Sequence, residues 1–243
     1  MSERPDYGVD APGVIRNLVL FGALLLAVSV ALPVVTLGPV RVGLRPMAMT
    51  MGGMLIAEAG LMLLYARWGK FRHRDRMLAM HVWRGDECVL DVGTGRGLLM
   101  IGAAKRLTSG RAVGIDIWKA TDLSGNVIER TRLNVELEGV AARCEVRGED
   151  ARKMSFPDGS FDLVLSNLCL HNIPNAEGRA RACAEIARVL KPGGAALISD
   201  FRSTAEYVAA LRAAGLEAGR EGSRLFDSFP PLRVVTALKR ARV

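Results

Sequence analysis

The chain has 243 residues, half of them hydrophobic, and 33 Lys and Arg against 25 Asp and Glu give a formal charge of +8. That length accommodates one catalytic domain of about 150–170 residues and a smaller element. Most basic residues are arginines scattered among acids, so the charge does not indicate a nucleic-acid partner, and the cysteines Cys88, Cys144, Cys169 and Cys183 form no CxxC pair that would suggest a disulfide framework or a metal site.

Residues 1–14 read as a cytoplasmic tail of mixed charge. Ile15 to Leu37 is apolar apart from Asn17, Ser29 and Thr36, with Pro33 near its end. At about 1.5 Å per residue it is long enough to cross a hydrocarbon core of roughly 30 Å. A turn over 38–46 leads to a weaker apolar run, Met47 to Tyr65, broken by Gly52, Gly53 and Glu58. Three readings compete for 15–65. A cleaved signal peptide is disfavoured by the long leader and the lack of an A-x-A site. A pair of buried helices and a transmembrane helical hairpin remain, and length and flanks favour the hairpin.

Within it, Ala23, Ala27 and Ala31, and Gly53 and Ala57, recur at four-residue spacing, which suggests close helix approach. Glu58 near a bilayer centre costs about 2.5–3.5 kcal/mol on insertion scales. It is either protonated, or paired, or on a segment lying shallower than a full crossing. Arg67, Lys70, Arg72, Arg74 and Arg76 follow at once, so 66–84 reads as a basic juxtamembrane helix or linker. Their excess over the two arginines of the turn puts both termini on the cytosolic side of the inner membrane.

From residue 85 to 243 short apolar runs alternate with helical stretches. Expected strands are Cys88–Val92, Ala112–Asp116, Arg143–Arg147, Phe161–Ser166, Ala195–Asp200 and a closing Val234–Leu238. Expected helices are Arg96–Leu107, Ser124–Glu138, Ala176–Leu190 and Thr204–Ala214. The alternation predicts an α/β fold with a mostly parallel sheet covered by helices on both faces.

Ligands in such sheets bind at the carboxyl ends of the strands. The first strand runs into Asp91-Val92-Gly93-Thr94-Gly95-Arg96-Gly97, a glycine turn open to close ligand approach. Its G-x-G-x-G spacing differs from the dinucleotide pattern, which disfavours a nicotinamide oxidoreductase. The second strand ends at Asp116, placed to accept ribose hydroxyls, and the third leads to Glu149-Asp150-Ala151, placed to meet an adenine edge.

These runs, with Phe156-Pro157-Asp158-Gly159-Ser160-Phe161-Asp162 and Glu185–Gly194, resemble the class I S-adenosylmethionine-dependent methyltransferases over roughly 85–240. The resemblance is closest to the small-molecule, ubiquinone/menaquinone-type subfamily. It implies a Rossmann-like sheet of seven strands and S-adenosylmethionine as cofactor. Asp91 and the loop Gly93, Thr94, Gly95 and Gly97 would cradle its methionine part, and Asp116 its ribose. Ile117 or Trp118 would pack on the adenine, Asp150 and Ala151 would read its edge, and Asn167 and Leu168 would close over the sulfonium. Where DNA- and glutamine-methylating relatives carry an N/D-P-P-Y/F tetrad, this chain has Ser166-Asn167-Leu168-Cys169, which argues against those substrates.

His171 is the one histidine expected near the active face, a candidate general base. Roofed by the basic stretch Arg67–Trp83, the acceptor pocket would open toward a bilayer, favouring a small or lipophilic methyl acceptor. The alternative is a membrane-tethered protein that binds S-adenosylmethionine without turnover.

Overall fold

A computed structural model describes residues 4–32, 34–38, 40–119, 121–222 and 228–241. An apolar helix, α1 (Pro12–Ser29), is followed by two short antiparallel strands, β1 (Val34–Leu37) and β2 (Val40–Gly43), and by helix α2 (Leu44–Leu64). The expected first helix therefore ends earlier, and part of the expected turn is a strand. Val34, Val35 and Thr36 are β-branched and favour extended backbone. Pro33 and Pro39 lie outside the described residues. Both α1 and the helical run Leu44–Ala79 are long and apolar enough to cross a membrane by length and composition.

The two helices meet on one narrow seam. Ile15, Gly22 and Ser29 of α1 and Ala48, Gly52 and Ala59 of α2 are its buried positions. A side chain on Gly22 would stand 2.9 Å from the Gly52 carbonyl, and one on Gly52 would stand 2.8 Å from that of Gly22. The close approach thus falls at Gly22 and Gly52, whereas the expected Ala23, Ala27, Gly53 and Ala57 are exposed. The seven-residue spacing in α1 explains the difference, because it keeps one stripe toward the partner through successive turns. The outer faces are apolar and bare: Phe21 is 61% and Met54 67% exposed.

One π-turn (Tyr65–Gly69) carries α2 directly into α3 (Lys70–Ala79). This is no free linker, for Met77 and Leu78 are fully buried in the core of the following sheet. That sheet comprises β3 (Cys88–Val92), β4 (Arg111–Asp116), β5 (Cys144–Gly148), β6 (Phe161–Asn167), β7 (Leu190–Asp200), β8 (Leu216–Arg220) and β9 (Arg233–Lys239). Their order is β5-β4-β3-β6-β7-β9-β8, parallel except that β9 runs antiparallel to both neighbours. Helices α3, α4 (Leu98–Ala104) and α5 (Ile128–Leu137) cover one face, and α6 (Ala176–Val189) and α7 (Thr204–Ala213) the other.

The expected doubly covered sheet is therefore present. Strand β8 has no counterpart in the sequence reading, since Leu216-Glu217-Ala218-Gly219-Arg220 carries only two apolar positions facing the core. Chain order reverses between β3 and β6, so the turns after these strands open a crevice between them.

Candidate active site

A cavity of about 350 Å³ lies at that crevice. Its floor is the turn after β3. The Asp91 side chain, 1% exposed, accepts from the Thr94 hydroxyl at 2.8 Å and from the Met100 amide at 2.9 Å. Burial pushes its carboxyl up to about 7, because the charged form loses its water. Gly93 has φ of 74°, and a side chain there would overlap the Cys169 thiol. The turn is thus free of side chains where the cavity narrows.

Asp116 ends β4 and forms one wall. Its Oδ2 accepts from the Gly95 amide at 2.9 Å and its Oδ1 from the Trp118 amide at 2.7 Å. A carboxylate has about four lone-pair sites, and with Asn126 Nδ2 also donating to Oδ1 at 3.4 Å one remains for a ribose hydroxyl. At the far end Asp150 is chelated by Arg152, whose guanidinium holds the carboxyl below its usual range. Asp116→Ala is expected to weaken S-adenosylmethionine binding roughly 10- to 150-fold by calorimetry. Unchanged affinity would remove Asp116 from the ribose site.

The cavity is lined by Asp91, Gly93, Thr94, Gly95, Asp116, Ile117, Asp150, Ala151, Asn167 and Leu168, all expected to touch the cofactor. Gly97 and Trp118 do not line it. Gly97 caps α4 with φ of 86°, and a side chain there would meet Ile101 and Thr131 instead. Trp118 sits at φ 57°, with its indole over Gly148 at the end of β5.

His171 also stands outside the lining. Its Nδ1 lies 2.9 Å from Asp200 Oδ1, and its ring meets Phe201 edge-on at 4.7 Å. Asp200 is fully buried and also takes the His171 amide at 3.2 Å, the Phe201 amide at 2.8 Å and the Tyr207 hydroxyl at 3.1 Å. The histidine was expected beside the donated methyl group. Here the buried carboxylate draws its ring toward β7, pinning the turn after β6 to the end of its neighbour.

Sequence reasoning missed the N-terminal tail. Residues 6–11 lie across the rim of the cavity, and Tyr7 and Asp10 line it with Lys70 of α3. Asp6 pairs with Arg96 of the glycine turn, and its amide donates to Asn134 Oδ1 of α5 at 2.9 Å. The Tyr7 hydroxyl donates to Glu138 at 2.7 Å, and the Val9 amide to the Ser124 hydroxyl at 2.8 Å. Lys70, 4% exposed, donates its ammonium to the carbonyls of Tyr7 at 2.8 Å and Gly8. Nothing in the tail itself marks this docking, since its partners lie far away in sequence.

The donor set fits S-adenosylmethionine. Asn126 Oδ1 and Asn167 Oδ1, both of residues lining the cavity, are buried without partners among the described residues, and Asp116 keeps accepting capacity beside them.

Comparison with known proteins agrees. The family described as "Methyltransferase domain" matches residues 90–198. A phosphatidylethanolamine N-methyltransferase of Cereibacter sphaeroides is 34% identical over 142 residues, 55% of this chain and 64% of that protein. The ubiquinone/menaquinone biosynthesis C-methyltransferase of Hydrogenovibrio crunogenus is 32% identical over 119 residues, 49% of this chain and 43% of that one. The chain spans about half the length of the curated relatives it matches. Among solved structures, a methyltransferase from Methanosarcina mazei aligns with a TM-score of 0.56 at 19% identity, covering 68% of this chain and 98% of that one. Residues 90–198 thus match a methyltransferase family, and the sheet around the cavity has the fold of S-adenosylmethionine-dependent methyltransferases.

Proposed function

We propose that the chain is a membrane-anchored methyltransferase. It passes a methyl group from S-adenosylmethionine to a small or lipophilic acceptor at the cytosolic face of the inner membrane. The observation that carries this reading is the placement of the helical hairpin. Its outer faces are apolar and exposed, while the tail leading into α1 and the helix leaving α2 both reach the cofactor cavity.

Large apolar side chains gain about 1.5–3 kcal/mol each on leaving water. Val19, Leu20, Phe21, Leu24, Met51 and Met54 alone therefore favour a bilayer over exposure by several kcal/mol. The buried-helix reading loses support, because it requires these faces to be covered by the chain's own domain. Two relatives named for a phospholipid and for quinone biosynthesis support a lipophilic acceptor.

S-adenosylmethionine supplies a methyl group already activated on a sulfonium, so the protein's task is alignment. Holding two reactants in line can contribute about 7–11 kcal/mol. Gly93 to Gly95 and Asp116 would hold the donor, and the tail would exclude water from above.

The full-length protein is expected to stay in the membrane fraction through high-salt and carbonate washing. Recovery as a monodisperse soluble protein without detergent would sink the anchoring reading. It would leave the methyltransferase domain untouched.

A further inference from the structure

The cavity has a polar corner in which Asn167, on the cofactor side, stands with two groups that cofactor binding does not account for. Asp10 stands just before α1, Tyr65 just after α2 and Asn167 at the end of β6. Asp10 Oδ2, the Tyr65 hydroxyl and Asn167 Oδ1 are each buried without a hydrogen-bond partner among the described residues. The Tyr65 hydroxyl faces the Asn167 side chain and lies within electrostatic reach of Asp10. Asp10 and Asn167 line the same cavity as the glycine turn. Lys70 is nearby, but it directs its ammonium at the carbonyls of Tyr7 and Gly8.

An unpaired buried polar group costs about 1–3 kcal/mol, and native structures hold few of them. Three in one corner indicate a ligand, and their chemistry indicates which kind. Asp10 Oδ2 and Asn167 Oδ1 only accept, and the tyrosine oxygen accepts as readily as it donates. A hydroxyl group offers one hydrogen and a carbon nucleophile none suited to such bonds. A primary ammonium offers three, and its charge complements the carboxylate.

We propose that Asp10, Tyr65 and Asn167 form the methyl-acceptor subsite, and that the atom methylated there is the nitrogen of a primary amine. The proposal rests on the methyl-transfer reading above. Asp10 Oδ2 takes one ammonium proton and frees the nitrogen lone pair. That pair forms the N–CH₃ bond while the S–CH₃ bond breaks, leaving its electrons on sulfur and moving the positive charge to nitrogen. The proton on Asp10 passes to solvent as the product leaves. Burial holds the Asp10 carboxyl above its ordinary value, which makes it a better proton acceptor than a surface carboxylate.

The test uses full-length protein in lipid nanodiscs and has two parts. In the first, calorimetry compares S-adenosylhomocysteine with the cofactor analogue in which a carbon bearing a primary ammonium replaces the methylated sulfur. The analogue is expected to bind at least tenfold more tightly, and Asp10→Asn to abolish the difference while leaving S-adenosylhomocysteine affinity within threefold. In the second, radiolabelled methyl transfer is followed to free ethanolamine, to phosphatidylethanolamine and to phosphatidylglycerol. Label in an amine, lowered about 10²-fold or more by Asp10→Asn and raised in KM by Tyr65→Phe, supports the proposal. Which amine is labelled tells a lipid headgroup from a free metabolite.

Equal affinity for the two cofactor analogues overturns the subsite. So does Asp10→Asn turnover within threefold of wild type, and label in phosphatidylglycerol alone or in no acceptor overturns the amine. Failure to bind S-adenosylmethionine at all would instead overturn the methyltransferase reading on which the proposal stands.

Discussion

Raising the pH from 5 to 8 is expected to destabilise the cofactor-free protein by about 2.5 kcal/mol through Asp91 alone. The fold keeps this proton up to about pH 7, whereas the unfolded chain releases it near 3.8. Between those values the native state binds more protons than the unfolded one, so stability falls as pH rises and levels off above 7. Asp6, Glu87, Glu138, Asp150, Asp162 and Glu185 are held below their ordinary values and act in the opposite direction, but only below about pH 4.5. The decline therefore stands out in denaturant titrations between pH 5 and 8. Asp91→Asn should remove about that amount of it; the Asp10 carboxyl, which burial also raises, acts with the same sign. A variant whose stability still falls by the wild-type amount would show that Asp91 is ionised throughout. Because S-adenosylmethionine is cationic, its binding should expel the Asp91 proton near neutral pH. Calorimetry in buffers of different ionisation enthalpy would register that release.

The second large effect is expected at Asp200, at the end of β7. Asp200→Ala strands the backbone amides of His171 and Phe201 and the Tyr207 hydroxyl at once, and removes the carboxylate beside the His171 ring. At about 1–3 kcal/mol for each stranded buried donor, the loss should exceed about 4 kcal/mol and leave little folded protein. Asp200→Asn retains one accepting oxygen and should cost roughly half as much. His171→Ala removes the approach to Asp200 and the edge-on contact with Phe201, so its cost should stay near 1–3 kcal/mol. Turnover per folded molecule should then remain within threefold of wild type. A loss of 10²-fold or more per folded molecule, with cofactor affinity unchanged, would restore His171 as a general base.

The parts legible in the sequence were those whose chemistry is local. Asp91 to Gly97 reads as a ligand turn because glycines and an acid sit where a strand must stop, and Asp116 and Asp150 follow from the same rule one strand later. The ten expected residues that line the cavity also include Ile117, Asn167 and Leu168, which follow from the family resemblance and not from that rule. Gly97 belongs to the same motif but serves the cap of α4, a distinction that depends on φ and on Ile101 beside it. The tail was illegible for the opposite reason. Asp6 meets Asn134 across 128 residues and Arg96 across 90, and no periodicity in 4–11 announces a partner that distant. The same holds for Lys70, which reads as one of five flanking cations and proves to be buried under the tail. His171 was placed correctly along the chain, but its ring direction is set by Asp200, 29 residues away.

The long reach of the tail bears on how the molecule is made. Residues 6–11 leave the ribosome well before Asn134 and Glu138 exist to receive them, and on the anchoring proposed above the apolar helices that follow would enter the bilayer in that interval. The tail must therefore wait until the domain to which it docks has assembled. Its docking then closes a loop of some 130 residues, and each doubling of loop length adds only about 0.6 kcal/mol of entropy. The delay is a matter of rate, since contacts so distant in sequence form late. A nascent domain would thus present an open glycine turn to solvent until the tail arrives. Protease sensitivity near Gly93 should outlast the appearance of a protected β3 and vanish only as the tail settles.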